Sequence, residues 1–486
     1  MAIEVSFASL SGAATLIALL ISKNSSWTTL YSLQVVFGVF IPSYVFYLSY
    51  IFPFYISELR HVPTVPGFPL WGQFFDIIST EIGVRQREWH QVHGPIIRYF
   101  FPFGAERLSV VDDDAIKQMT TRNPYNYPKP VRAKLWMVRI LGEGVLLAEG
   151  DEHIHQRKSL APGFSIQSIR ALYPVFWQKS LLLTKLWKEE MDADSVKSKP
   201  FEVLEWLNRT TLDIIGAAGF GVDINSLENP EAPIREAYRL VFAFDIGSRI
   251  LHGLQAFIPS TKYIPAKMNR DMESSRKIIL KTATDIIDEK QEQAAQRTNH
   301  KDIIALIAKD NLKMKEAGEE GLSFETMRDQ IMTFLGAGHD TTATGLAWTI
   351  HLLSTHPEIQ ERLRDEVREH MPFLFDQKSR YESSVEKTDA DLLPYLDNVC
   401  PDVFDPDRWD KLPSSFTANA FMTFLQGPRG CIGRKFAETE MKVLICCLLS
   451  MYKFERDESV ENPEDLKMWR LVLRPRDGLQ VKVTAI

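Results

Sequence analysis

A charge-free run near the start limits this chain more than any other feature. From Leu30 to Ser57 there is no Asp, Glu, Lys or Arg, a stretch longer than the roughly 20 residues a bilayer crossing needs. A shorter apolar run, Phe7 to Ser22, precedes it. The polar stretch Lys23 to Thr29 lies between them and carries a sequon, Asn24-Ser25-Ser26, too close to the membrane to count for much. As the core of a cleavable signal, the first run lacks the usual basic lead, because MAIEVS contains Glu4 and no Lys or Arg. The expectation is an uncleaved membrane anchor over residues 1–58, with one or two transmembrane helices. Arg60 and His61 follow it, which favours a cytosolic body. Over residues 59–69, Pro63, Pro66 and Pro69 exclude a helix interior and make a stiff, extended hinge.

The remainder, residues 70–486, has the composition of a globular protein: 45% of the chain is apolar, 11% aromatic and 24% charged. A net charge of −7, with no basic block, argues against nucleic-acid binding. The cysteines are Cys400, Cys431, Cys446 and Cys447, with no CxxC or Cys/His spacing, so neither a disulfide framework nor a structural zinc site is expected. Amphipathic helical patterns run through Leu160–Met191, Phe201–Ala218, Glu236–Ala243, Met268–Gln293, Thr326–Leu353 and Arg434–Met451. Ile96–Val111 reads as a β-hairpin. No repeat of 20–50 residues is present, which excludes solenoids and propellers. The predicted fold is mainly α with a minor β-sheet.

Two segments carry chemistry. In Phe424-Leu425-Gln426-Gly427-Pro428-Arg429-Gly430-Cys431-Ile432-Gly433-Arg434, a cysteine sits in a glycine-rich loop just before a long apolar helix. Unpaired N–H groups at a helix start favour a thiolate over a thiol. Gly427, Gly430 and Gly433 leave room for something flat, and Arg429 offers a fork for a carboxylate. Such a loop suits an iron porphyrin. A buried cysteine near a helix start is also an ordinary structural feature, and no single residue here excludes it.

The second segment, Gly336-Ala337-Gly338-His339-Asp340-Thr341-Thr342, lies in the middle of a predicted helix. Interior glycines cost about 1 kcal/mol each relative to alanine. Thr341 lies four residues after Ala337, so its hydroxyl can bond that carbonyl and loosen the helix. The result is a notch holding a hydroxyl and the Asp340 carboxylate. Close packing of two helices on a small-residue patch is the alternative.

Together these segments resemble the membrane-bound cytochrome P-450 family of haem-thiolate monooxygenases. The family's FxxGxRxCxG loop is matched by Phe424, Gly427, Arg429, Cys431 and Gly433, and its (A/G)Gx(D/E)T motif by Ala337, Gly338, Asp340 and Thr341. The WxxxR signature is represented by His153 to Arg157, with histidine in place of tryptophan, and the PERF-type segment by Phe404-Asp405-Pro406-Asp407-Arg408-Trp409. The resemblance covers nearly the whole chain, and the proline strap fits it.

The resemblance implies a cytochrome P-450 fold and haem b (iron protoporphyrin IX) as cofactor. The Cys431 thiolate is then the axial iron ligand, which favours O–O cleavage. Phe424 packs on the sulfur side and helps exclude water. Arg429, Arg157 and His153 hold the propionates, and Asp340 and Thr341 relay protons. Electrons come from NADPH through a separate NADPH-cytochrome P-450 reductase, since no nucleotide-binding glycine loop is visible. The implied reaction inserts one oxygen atom of O2 into a hydrophobic small molecule. The largely apolar segments at 125–147 and Phe334–Leu335 point to a lipid, terpenoid or polyketide-like ligand. GHDTT and GDEHxHQR resemble fungal secondary-metabolism enzymes. The implied location is the endoplasmic reticulum membrane, with the catalytic domain cytosolic.

One part of the family pattern is missing. The ExxR helix, whose Glu and Arg join the PERF arginine in a buried triad, belongs between the oxygen-activating helix and the PERF segment. Here Leu393 to Cys400 opens such a helix and Pro401 follows at once. The one ExxR string nearby, Glu361 to Arg364, lies in a charge-laced helix and reads as a solvated decoy. Arg408 would then lack both partners, at a cost of about 3–5 kcal/mol for a broken buried network. The reading favoured is a segment missed at 400/401, and the alternative is a truncated, inactive, membrane-anchored pseudoenzyme.

Overall fold

The computed structural model describes residues 7–68, 70–81, 83–241, 248, 251, 255, 259–296, 301–376, 379–380, 407, 411–412, 416–417, 421–469 and 472–486. The chain forms two compact units, Met1–Met119 and Thr120–Ile486.

In the first unit, α1 (Phe7–Asn24) and α2 (Thr29–Phe46) pack against each other as a helical hairpin. Phe7, Phe40 and Tyr44 form one aromatic cluster across it, with ring centroids 5.3–5.9 Å apart. Pro42 and Pro53 cannot donate main-chain hydrogen bonds, and α2 widens into a π-helical stretch, Tyr47–Ile56. The combined helix Thr29–Ile56 is long and apolar enough to cross a membrane.

The proline segment is pinned rather than free. Val65 donates its N–H to the Arg98 carbonyl at 2.8 Å, and Arg98 donates to the Pro63 carbonyl at 2.8 Å. Both bonds lay the strap along β1 (Ile96–Phe101), which pairs with β2 (Ala105–Val110) as the expected hairpin. The buried Arg98 guanidinium bonds the Glu106 carboxylate at 2.8 Å, the Pro53 carbonyl at 3.0 Å and the Thr64 hydroxyl at 2.9 Å. Ser57 donates to the same carboxylate at 2.8 Å. The end of the apolar helix, the strap and the hairpin thus share one ion-paired node.

The second unit is mostly helical. Its longer helices are α3 (Val131–Leu141), α4 (Gly150–Leu160), α5 (Tyr173–Ala193), α6 (Val203–Ile214), α7 (Pro233–Val241), α8 (Lys267–Ala295), α9 (Ile303–Glu316), α10 (Phe324–Thr355), α11 (Pro357–His370) and α12 (Arg434–Met451). The Leu160–Met191 pattern is three pieces, not one helix. Pro162-Gly163 gives a 3-10 turn, Ile166–Arg170 a short helix, and α5 begins with Pro174 in its first turn. Small antiparallel sheets complete the unit: β3 (Ser198–Glu202), β7 (Gln480–Ala485) and β4 (Tyr452–Arg456) in that spatial order, and β5 (Lys467–Trp469) with β6 (Leu473–Pro475). One continuous apolar core joins α5, α6, α8, α10 and α12.

α11 corrects the solvated reading of Glu361–Arg364. Arg364 is buried, and its guanidinium donates to the carbonyls of Leu449 at 3.0 Å and Tyr452 at 2.8 Å, while pairing with Glu361. It satisfies carbonyls at the end of α12 that the helix itself cannot. The i, i+3 charge pattern conceals this, because a buried arginine and an exposed one have the same spacing.

On α12, Glu440 is fully buried, with no cation against it and only the Thr342 hydroxyl favouring its charged form among the described residues. Burial pushes its carboxyl well above the ordinary range, and the Thr342 hydroxyl offsets this only in part. A carboxyl raised on folding imposes no penalty below its unfolded pKa, and a growing penalty as pH rises from there toward the folded value. Wild-type stability should therefore fall between pH 5 and pH 8. Glu440→Met should flatten that slope and raise stability at pH 8 by about 1–3 kcal/mol. Thermal unfolding of both proteins at the two pH values checks this, and parallel slopes would sink the argument.

Candidate functional site

The cysteine loop is built from a sharp backbone reversal. Leu425 and Gly427 both adopt positive φ (56° and 70°), and a Cβ on Gly427 would lie 2.1 Å from the Thr120 carbonyl oxygen. Gly430 donates to the Gly427 carbonyl at 2.9 Å and Cys431 to the Phe424 carbonyl at 2.7 Å. Gly433 then caps α12. These bonds present the Cys431 side chain in an accessible position, with the Gly433 N–H bonded to its sulfur. The Arg434 guanidinium sits 5.5 Å over the Phe424 ring.

The expected thiolate preference is reversed. Burial of the sulfur's surroundings raises the Cys431 thiol above its ordinary value, outweighing the Gly433 N–H, Arg157 and Arg434, which pull the other way. The helix start alone does not ionise this cysteine. A bound metal cation supplies the charge needed to deprotonate a coordinating thiol.

Beside the loop lies a charged cluster. Arg157, on α4, donates to the Gly430 carbonyl at 2.6 Å and so fastens that helix to the loop. His153, one turn earlier and buried, shares a 2.9 Å hydrogen bond with the Tyr125 hydroxyl. Burial, with Lys129, Arg157 and Arg429 nearby, pushes its imidazole down to about 4, so it is neutral at physiological pH. Arg429 donates to the Tyr127 carbonyl at 2.9 Å, pairs with the Glu149 carboxylate and lies 5.1 Å over the Tyr125 ring. Its Nε is buried without a partner among the described residues. Lys129 donates to the Ala148 carbonyl at 2.9 Å and sits 3.2 Å from Glu149.

Tyr125, Lys129 and Glu149 are members of this cluster that sequence reasoning missed. The start of the 125–147 stretch, assigned above to the substrate side, faces Arg429 instead. The only available signal was the interleaving of aromatic and basic residues in YNYPKP.

On α10, the Thr341 hydroxyl donates to the Ala337 carbonyl at 2.7 Å and lies exposed, as the i, i+4 argument expects. Asp340 is elsewhere: it is buried, and Oδ1 accepts from Arg474 on β6 at 3.1 Å, while Oδ2 has no partner among the described residues. The single notch holding both groups is therefore not observed. Adjacent residues on a helix point about 100° apart, and burial directs the carboxylate toward the β5–β6 hairpin. A Cβ on Gly336 would meet the Leu141 side chain at 2.4 Å, and one on Gly338 would meet Ile215 at 3.1 Å. Close packing accounts for both glycines. Ala337, one turn earlier on the same face, supplies the carbonyl that takes the Thr341 hydroxyl. Phe164 links the two segments: its ring meets Phe334 of α10 edge-on at 5.2 Å and reaches within 4.0 Å of the Cβ position of Gly433.

The residues present fit an iron porphyrin. Cys431 is an accessible soft ligand. Lys129, Arg157 and Arg429 against Glu149, with His153 neutral, leave two positive charges for two propionates, and the orphaned Arg429 Nε is a donor without an acceptor. Of the PERF-type segment only Asp407 lies within the described residues, accepting from Arg362 at 2.9 Å. Phe404, Asp405, Pro406, Arg408, Trp409 and the Leu393–Cys400 stretch lie outside them.

Comparison with known proteins agrees with this geometry. The sequence pattern of the cytochrome P-450 family matches residues 62–400 and, as a separate stretch, 400–483. The chain is 29% identical to the cytochrome P-450 monooxygenase sphH of Aspergillus fumigatus, over 91% of each protein. It is 29% identical to ALT8 of Alternaria alternata over 96% of each, and 28% identical to FUM15 of Gibberella moniliformis over 91% of each, both also cytochrome P-450 monooxygenases.

The loop geometry makes a comparative prediction. Gly427→Ala forces a Cβ into a left-handed residue against backbone, whereas Gly430 has negative φ (−57°) and its Cβ would approach the Gly427 carbonyl only to 3.1 Å. Gly427→Ala should cost about 1–3 kcal/mol and lower the haem-to-protein ratio more than Gly430→Ala does. Thermal unfolding and haem quantitation of the two variants decide this.

Proposed function

Because the chain belongs to the cytochrome P-450 family, an enzyme type whose cofactor is haem, we propose that it inserts one oxygen atom of O2 into a hydrophobic small molecule. The observation that carries this is the accessible Cys431 thiol on the loop fastened to Arg157, beside a cationic cluster. When bound, haem supplies the oxygen activation, and the protein selects and orients what is oxidised. Cys431 ligates iron, with Phe424, Gly427 and Gly433 shaping its loop. Arg157, His153 and Arg429 hold the propionates. The Thr341 hydroxyl, on the exposed side of α10 near Ala337 and Gly338, holds a proton for delivery. Asp340, whose Oδ1 accepts from Arg474 at 3.1 Å, is the neighbouring carboxyl on the same helix from which that proton is replenished.

Leu141, Val145, Leu147 and Phe334 are apolar and buried, which supports an apolar substrate of terpenoid or polyketide-like character and a place in secondary metabolism. Electrons are assigned to NADPH through a membrane-bound P-450 reductase. The Thr29–Ile56 helix and the basic residues after it support an endoplasmic reticulum anchor over 1–58, a strap over 59–69 and a cytosolic catalytic domain over 70–486.

A second reading has its own support. The family match divides at residue 400. The break in the family match favours a family segment that is not encoded between Cys400 and Pro401, and a chain lacking it would be an inactive, membrane-anchored pseudoenzyme. The reduced, CO-bound spectrum of the purified full chain separates the readings. A thiolate-type band supports the monooxygenase, and its absence supports the pseudoenzyme. Within the first reading, Thr341→Ala should keep that band while diverting NADPH-derived electrons to hydrogen peroxide. Unchanged coupling of NADPH use to product would remove Thr341 from the proton path.

A further inference from the structure

Glu149 stands where the functional reading has no use for it. It is the residue before α4, and its carboxylate is held from two sides. Oε2 accepts from the Arg429 guanidinium, while Oε1 accepts the Lys129 backbone N–H at 3.1 Å and faces the Lys129 ammonium at 3.2 Å. The backbone N–H and charge of Lys129, with the charge of Arg429, hold the Glu149 carboxyl below the ordinary carboxylate range despite partial burial. It is therefore an anion seated on the guanidinium assigned above to a haem propionate.

Arg429 keeps its Nε–H without a partner among the described residues, but its single positive charge is already matched by Glu149. One terminal nitrogen is committed to the Tyr127 carbonyl at 2.9 Å, and Tyr125 covers a face of the group. A second carboxylate arriving at this guanidinium must share its one charge with the first or replace it, because two carboxylates on one cation repel each other. Arg157 is not in this contest: its recorded bond is to the Gly430 carbonyl, with no pairing to Glu149.

We propose that Glu149 is an internal carboxylate latch on the haem site. It occupies Arg429 and Lys129 before haem binds and yields Arg429 to a propionate afterwards, so that loading exchanges one carboxylate for another. The exchange keeps Arg429 oriented and its charge neutralised before loading, at the expense of haem affinity. The proposal rests on the assignment of Arg429 to a propionate.

The test measures haem binding, not turnover. Wild type, Glu149→Gln and Arg429→Met are each loaded with haem and with haem dimethyl ester, whose esterified propionates carry no charge. Transfer of pigment to excess apomyoglobin is then followed by absorbance. The latch predicts that Glu149→Gln slows loss of free-acid haem by about fivefold or more, on the scale of one charge-assisted hydrogen bond, and leaves loss of the ester unchanged. Equal or faster loss of free-acid haem from Glu149→Gln overturns the latch, since Glu149 would then support Arg429 rather than compete for it. A slowing that is equal for haem and ester overturns it as well, as that is a packing effect. If Arg429→Met loses both pigments at the wild-type rate, the propionate assignment itself fails. If it loses only free-acid haem faster, that assignment stands whatever Glu149→Gln shows. Should Glu149→Gln fail to fold, Glu149→Ala is read against the same outcomes.

Discussion

The site is located by how deeply α12 is buried. Every residue from Val443 to Ser450 lies inside the protein, in an interior packed as densely as an organic crystal. A helix held this way over two turns can neither slide nor rotate, so the other end of the same rod, Gly433 and Cys431, is fixed in space. Arg364 secures the buried end by taking carbonyls that the helix leaves unpaired. Arg157 secures the exposed end through Gly430. The chemistry at Cys431 therefore depends on packing more than ten residues away.

Around that fixed point, charge is arranged more subtly than a helix-dipole argument implies. The thiol is raised, not lowered, because desolvation by the protein around the sulfur outweighs a single N–H and two guanidinium groups. The imidazole of His153 stays neutral for the same reason, strengthened by the cations around it. The cluster thus carries its positive charge on Lys129, Arg157 and Arg429, while His153 contributes hydrogen bonding without charge. On α10, Thr341 and Asp340 are neighbours in sequence but work in different surroundings. The hydroxyl lies exposed and the carboxylate is paired with Arg474.

Much of this was legible in the sequence wherever the cause is local. Periodicity located α6, α8, α10 and α12, and the Ile96–Val111 stretch read as the β1–β2 hairpin. The spacing of glycines around Cys431 anticipated its loop, because backbone reversals are set by a few adjacent residues. Proline breaks within Leu160–Met191 were present in the sequence but were outweighed by a strong apolar pattern. The burial of Arg364 left no trace, since its exposed neighbour Arg362 has the same composition and spacing context.

The sequence by itself determined the apolar N-terminal helices, the helical body, the family and the glycine-rich loop that carries Cys431. Each of these follows from residues that act on their immediate neighbours or on a solvent common to all of them. Only the tertiary structure decided which partners the charged groups take. Glu149 reaches Arg429 across 280 positions of chain, and Arg474 reaches Asp340 across 134. Such pairings arise when packing of the apolar core brings distant loops together and removes the water that would otherwise solvate each charge alone. An ion pair of that kind has no periodicity, so nothing in the local order of residues announces it.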